Sequence, residues 1–265
     1  GQGYHHAPMM HGPYHFHIIA LSYFVFGVSD FTARIPSVLF SLATVWMVWY
    51  WRRYLGNWGM IVASLLMVIS PYMLYYGRYV RNESFVGFSG ILLLYSILRY
   101  LEVGDKKYLY LVTGATLLHF TSKETAFIYT AFIYTAQAWL FLGLYFLARI
   151  FHLGKLPNLR EDRAFGLMIL LGTFVLPMVT PFPIKWLEPW LHVTIPTEAA
   201  QIQTLDARAL WTVGGFVAFF FILSILIGII CNREWCKYAA FYWGVFTILY
   251  TTVFTNPAGF FTGIV

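Results

Sequence analysis

Charge is scarce in this chain. Asp, Glu, Lys and Arg make up 11% of its 265 residues, where soluble domains carry about a quarter. So few charges cannot cover a water-facing surface, which excludes an ordinary soluble domain. Cysteine is nearly missing too. Cys231 and Cys236 are too few for a disulfide framework or a four-ligand zinc site, and they read as plain thiols. No acidic residue precedes Asp30. There is no internal repeat and no low-complexity tract. The long apolar runs are almost free of polar residues at mid-length. That argues against a transporter, whose spans are typically broken or carry polar groups near the midplane.

What is present is hydrophobic. Apolar residues make up 60% of the chain and aromatics 20%, with mean hydropathy +0.68. About 17 to 25 apolar residues cross a bilayer as a helix. The charge-free runs are Ile35–Trp51, Tyr54–Gly77, Ser84–Leu98, Tyr108–Ser122, Thr125–Ala148, Ala164–Ile184, Ala209–Asn232 and Tyr238 onward. They predict an all-α, polytopic transmembrane bundle of about eight spans. Ser84–Leu98 and Tyr108–Ser122 are short, and borrow length from Arg99–Leu101 and from a snorkelling Lys107. Tyr14–Phe26 is shorter still and suits a helix lying in the interface. The irregular Gly1–Pro13 segment precedes it, and Ser29 or Asp30 is placed to cap the helix that follows.

The organisation expected is a single transmembrane domain over residues 1–265. Residues 1–34 belong to a first outer loop with the interfacial helix. Residues 35–182 hold six spans, 183–208 an outer loop, and 209–265 two more spans and the start of an outer segment. Both ends read as cuts within a longer protein.

The net charge of +6 divides by side of the membrane and does not call for nucleic acid. One set of loops runs from Arg52 and Arg53 to Arg233 and Lys237. It carries eleven Lys and Arg against five acids; the opposite side carries six of each. Basic residues collect on the cytoplasmic side. The side holding Arg34, Arg78, Arg81 and Lys123 is therefore expected outside.

Two short charged turns lie on that outer side. One runs from Tyr75 to Glu83 and holds Arg78, Arg81, Asn82 and Glu83; the other holds Lys123 and Glu124. Charges beside hydrocarbon are costly and call for a reason. One reading is an anion site: Arg offers bidentate contacts to a phosphate, Lys a point charge, and the two Glu orient them. The other is anchoring, with the charges paired among themselves and with lipid headgroups. Tyr72, Tyr75, Tyr76 and Tyr79 fit an interfacial belt or a wall for a sugar or polyprenyl chain. Five of the eight His fall in the first seventeen residues: His5, His6, His11, His15 and His17. They could hold a metal, but no carboxylate lies near them, so a divalent cation is not supported. An aromatic loop resting on the interface, or one facing substrate, fits as well.

Three segments, in this order and spacing, resemble a known family. They are His11-Gly-Pro with Phe26-Gly-Val-Ser-Asp-Phe-Thr-Ala-Arg-Ile-Pro-Ser37, then Tyr76-Gly-Arg-Tyr-Val-Arg-Asn-Glu83, then Leu117-Leu-His-Phe-Thr-Ser-Lys-Glu-Thr125. The family is that of polytopic, lipid-linked-sugar glycosyltransferases of the C-type fold, in the protein-mannosyltransferase-like branch of bacteria and archaea. The resemblance covers roughly Pro8 to Tyr129, and Thr255-Asn-Pro-Ala-Gly259 is a weaker likeness.

It implies transfer of a mannose-like hexose from a polyprenyl-phosphate donor to an acceptor, at the extracytoplasmic face of the cytoplasmic membrane. It implies substrate-binding roles for Arg34, Arg78, Arg81, Glu83, Lys123 and Glu124, and favours a substrate-facing role for the loop with His5, His6 and His11. The family's catalytic carboxylate lies upstream of the His-Gly-Pro region, so here it is expected upstream of Gly1. Without that acid a second reading stands: a non-catalytic membrane scaffold that binds lipids and protein partners in a larger assembly. The residues upstream of Gly1 discriminate the two.

Overall fold

The computed structural model describes residues 12–123, 143, 147, 151, 163–191, 207–256, 259–260 and 263–264. Among them there are helices and turns and no strand, as the hydropathy pattern requires. Four helical stretches are long and apolar enough to cross a membrane: Asp30–Ile69, Glu83–Val103, Arg163–Trp190 and Ala207–Cys231. The chain forms two compact units, one over Met10–Ala126 and one over Gly1–Met9 with Phe127–Val265. The expected span Thr125–Ala148, most of the basic Arg149–Arg163 segment and most of the 183–208 loop lie outside the described residues.

The first unit contains α1 (Pro13–Phe26), α2 (Asp30–Ile69), α3 (Pro71–Tyr76), α4 (Glu83–Val103) and α5 (Lys106–Ser122). Pro13 opens α1 at a position where its missing N–H costs nothing. Fourteen residues give α1 a length of about 21 Å, short of the roughly 30 Å hydrocarbon core. Gly27, at φ 83°, ends it and donates to the Tyr23 carbonyl.

Ser29, rather than Asp30, caps α2. Its hydroxyl accepts from the Thr32 N–H, and the Thr32 hydroxyl accepts from the Ser29 N–H. Such a cap is worth about 1 kcal/mol.

α2 is two limbs. Gly56 sits at φ 70°, ψ 175°, a conformation essentially reserved for glycine. The chain folds back there, so that Val45, Trp46 and Trp49 share a groove with Met60 and Ser64. The limbs correspond to the charge-free runs Ile35–Trp51 and Tyr54–Gly77, with Arg52 and Arg53 just before the bend.

A proline inside α2 also ties the unit together. Pro36 has no N–H, so the Thr32 carbonyl loses its helical partner. The Ser22 hydroxyl of α1 donates to that carbonyl at 2.7 Å. Tyr14, Phe40, Phe85 and Phe88 pack edge-on beside it, at centroid distances of 4.7–6.1 Å. α4 and α5 form an antiparallel pair turning at Gly104, which has φ 77°. Leu93, Val112 and small polar residues fill their interface.

The second unit contains α6 (Arg163–Val175), a 3-10 turn (Leu176–Val179), α7 (Pro181–Leu191), α8 (Ala207–Cys231) and α9 (Trp235–Tyr250). It repeats the proline device. Pro177 leaves the Thr173 carbonyl open, and the Ser224 hydroxyl of α8 donates to it at 2.7 Å. The Trp235 indole N–H donates to the Thr173 hydroxyl at 2.7 Å. Its ring lies over Gly228, where any Cβ would come within 2.3 Å of it. Phe174 stacks on the buried Tyr242 at 4.6 Å.

Candidate functional site

The α4–α5 pair brings two of the expected residues together. Glu83 is the first residue of α4, and Lys123 follows the last residue of α5. Lys123 Nζ donates to Glu83 Oε1 at 3.0 Å, with side chains 27% and 15% exposed. An ion pair this sheltered needs its remaining polar atoms satisfied. Yet among the described residues Glu83 Oε2 is buried and has no hydrogen-bond partner.

Its neighbours share that condition. Asn82 is the N-cap residue of α4, but its side chain makes no capping bond. It is 1% exposed, and neither Oδ1 nor Nδ2 has a partner. The Ser122 hydroxyl, on the residue before Lys123, is buried and unpartnered, and so is the hydroxyl of Ser37 on α2. Ser37 belongs to the same level. One turn further along α2, Ser41 donates to Ser84 at 3.1 Å, and Ser84 donates to the Tyr76 carbonyl. Each buried, unsatisfied polar group costs about 1–3 kcal/mol. Several at one helix end mark a place built to receive polar atoms.

Gly12, just before α1, is fastened to the same level. Gly12 donates its N–H to the Ser122 carbonyl at 3.1 Å. A Cβ on Gly12 would stand 2.0 Å from the Thr121 carbonyl oxygen, so only glycine fits. Two turns deeper, Ser89 Oγ and His119 Nδ1 lie 2.8 Å apart, and His119 Nε2 and the Thr116 hydroxyl are buried without partners.

The expected cations divide. Arg81 is exposed with its guanidinium 5.9 Å from the Tyr79 ring, and its charge acts on the Glu83 carboxylate. Arg78 is also exposed, and it lines a different feature. This is a groove of about 230 Å³ between the limbs of α2 and α3, walled by Val38, Leu42, Met67 and Met73. Arg34 is exposed on the second turn of α2 and makes no ion pair among the described residues. His5, His6, His11 and Glu124 lie outside the described residues. Among the described residues no three His, Cys, Asp or Glu converge as metal ligands.

The sequence model of the dolichyl-phosphate-mannose-protein mannosyltransferase family matches residues 10–156. The chain belongs to this family. It is thus an integral membrane glycosyltransferase of the mannosyltransferase kind. Neither the curated proteins nor the solved structures give a match. The matched region contains the whole first unit, and with it every residue of the site from Gly12 to Lys123.

A mannosyltransferase site needs cations for a leaving group and neutral donors and acceptors for hydroxyls. Lys123 and Arg81 are of the first kind; Asn82, Ser37 and Ser122 are of the second. Reading the sequence alone found the ion pair because its members are charged. Gly12, Ser37 and Ser122 stand inside the motifs that carry the family resemblance, without a role of their own there, and Asn82 enters only as part of a turn. The signal was there for Asn82, a short amide set between Arg81 and Glu83.

Proposed function

We propose that this protein moves a mannose-like hexose from a polyprenyl-phosphate donor to an acceptor hydroxyl at the extracytoplasmic face of the cytoplasmic membrane. The observation that carries the reading is the Glu83–Lys123 pair, with Glu83 Oε2 and the side chains of the adjoining Asn82 and Ser122 unpartnered among the described residues and Arg81 two residues before Glu83. In the reaction the acceptor oxygen bonds to the anomeric carbon while the bond from that carbon to the phosphate oxygen breaks. The electron pair leaves with the phosphate, the acceptor's proton goes to a base, and the configuration inverts. Negative charge grows on the phosphate oxygens. Lys123 and Arg81 are suited to stabilise it there, where a fixed cation acts with little reorganisation. Glu83 holds Lys123 in place. Arg34 and Arg78 belong to the same outer surface, with Arg78 nearest the apolar groove of α2. The excess of Lys and Arg on the opposite loops supports the sidedness.

The test is reconstitution of the full-length protein with polyprenyl-phosphate mannose, measuring lipid phosphate release and affinity for bare polyprenyl phosphate. Arg81→Ala is expected to weaken both strongly, and Arg81→Lys to recover only part, since Lys cannot contact phosphate bidentately. Wild-type affinity in both Arg81→Ala and Lys123→Ala would remove the phosphate site and leave the anchoring reading.

A further inference from the structure

We propose that Asn82 reads a hydroxyl of the donor sugar, in a neutral subsite completed by Ser37, Ser122 and Glu83 Oε2. The proposal rests on the phosphate site at Lys123 and Arg81, and takes it one group further.

The ground for it is a hydrogen-bond inventory among the described residues. Asn82 is 1% exposed, with a donor and an acceptor both unused. Glu83 Oε2 beside it can only accept while ionised. Ser37 and Ser122 can each donate and accept, and both hydroxyls are buried without partners. The group that satisfies this set must bring hydrogens to Asn82 Oδ1 and Glu83 Oε2 and a lone pair to Asn82 Nδ2. A lipid tail brings neither. A phosphate dianion brings only lone pairs, and would leave Oδ1 and Oε2 unmet. Neighbouring hydroxyls on a sugar ring bring both, as water does before the sugar enters.

Position selects the donor sugar over the acceptor. Asn82 is bonded in the chain to Glu83, whose carboxylate holds Lys123 at 3.0 Å. In the donor, the sugar joins the phosphate through a single oxygen, so its ring hydroxyls lie only a few bonds from the phosphorus. A phosphate on Lys123 and Arg81 puts those hydroxyls at the Asn82 level. The backbone that carries the amide is also fixed. The Asn82 backbone carbonyl accepts from the Phe85 and Val86 N–H groups at 3.1 Å each, which fixes the start of α4. A buried amide discriminates epimers, because a hydroxyl of the wrong configuration leaves a buried donor or acceptor unpaired.

The experiment is a competition binding assay on the full-length protein in lipid nanodiscs. Labelled polyprenyl phosphate is displaced by its bare form and by its mannosyl, glucosyl and galactosyl derivatives. The wild type is expected to prefer one epimer by about tenfold or more. Asn82→Ala is expected to bring the three sugars within about threefold of one another while bare polyprenyl phosphate binds as before. Asn82→Asp keeps the shape and loses the donor; it is measured alongside in case the Ala variant fails to fold, and is expected to lose the preference too. A wild type indifferent to the three sugars, or epimer preference intact in the Asn82 variants, overturns the proposal. So does a loss of bare-lipid affinity with preference unchanged, which would make Asn82 scaffolding. Failure of the phosphate site reads separately, as wild-type affinity for bare polyprenyl phosphate in Arg81→Ala and Lys123→Ala.

Discussion

The first unit carries charge at both ends of its α4–α5 pair, and the two ends are wired differently. At the Arg99 end the charged groups satisfy one another, and among the described residues the polar atoms left buried without a partner there belong to aromatic rings, Trp51 Nε1 and Tyr54 Oη. Glu102 Oε2 accepts from Arg53 Nε at 3.1 Å and from Arg99 at 2.6 Å, Arg99 also donates to the Tyr108 hydroxyl, and Lys107 pairs with Asp105 at 2.9 Å. Much of this is exposed; Arg53 is 62% so. At the Glu83 end one pair is sheltered, and Asn82, Ser37, Ser122 and Glu83 Oε2 are buried with capacity to spare. Saturated charge in contact with water anchors a helix end. Unsaturated polarity under cover carries a standing cost that a ligand removes. The difference is the physical ground for proposing the site at the Glu83 end.

The comparison breaks most visibly at Lys123. Lys123→Met keeps the length of the side chain and removes its charge. Loss of one charge-stabilising group typically costs a factor of about 10²–10³ in turnover, and that is the fall expected in transfer from polyprenyl-phosphate mannose. The same variant leaves Glu83 sheltered without its counter-ion, so Glu83→Gln in the Lys123→Met background should recover thermal stability but not transfer. Recovery of transfer in the double variant would show that Lys123 serves only to neutralise Glu83.

Gly12 tests whether the segment before α1 must sit at this end. With a Cβ 2.0 Å from the Thr121 carbonyl, Gly12→Ala forces residue 12 off α5 and breaks the Gly12–Ser122 hydrogen bond. Several kcal/mol of strain or local unfolding is expected. It should read out as new proteolytic cleavage near residue 12, with transfer lost. An Ala variant with wild-type cleavage and activity would mean that this contact positions nothing.

Smaller effects come from the two proline stitches. Ser22→Ala leaves the Thr32 carbonyl buried and unpaired, and Ser224→Ala does the same to Thr173. Each is expected to lower stability by about 1–3 kcal/mol in a thermal melt in detergent. Ser22→Ala should also reduce transfer, because it loosens α1 beside the site, whereas a loss of transfer without a shift in melting would count against a stitching role.

Much of the fold was legible because hydropathy and charge are strong signals. The two limbs of α2, the turn at Gly104 and the Ser29 cap each follow from a charged break, a glycine or a capping residue. The stitches were harder. Pro36 and Pro177 announce an open carbonyl four residues back, but no rule of sequence says that Ser22 and Ser224 will reach it. That is a tertiary fact. The site divided the same way. Charged Glu83 and Lys123 stand out in an apolar chain, so the sequence marks both, and that they pair with one another is a fact of the structure. Ser37, Ser122 and Asn82 are ordinary in composition. Only burial without a partner makes them unusual, and burial is set by packing. Arg78 was grouped with Arg81 on spacing, and the structure puts it against the groove of α2, because three residues of turn are enough to face another surface.

The smallest effects belong to the Arg99 end, and they sharpen the comparison by being small. Arg53→Ala removes one arm of an exposed pair, and such pairs contribute about 0–1 kcal/mol. Arg99 still holds Glu102, so transfer should be unchanged and the melting temperature nearly so. Asp105, in the turn before α5, gives a check by pH. The Lys107 side chain and backbone N–H hold its carboxyl below the usual range. A lowered carboxyl pKa adds stability that is complete above the unfolded value of about 3.8 and is lost as pH falls through the folded value. Between pH 6 and pH 8 the carboxylate is ionised in both states, so melting should not vary with pH on its account. Asp105→Asn keeps the cap and loses only the charge, so it should melt within about a degree of the wild type in that range. A large loss of transfer from Arg53→Ala or Asp105→Asn would place function at the saturated end, and the rule that distinguishes the two ends would fail.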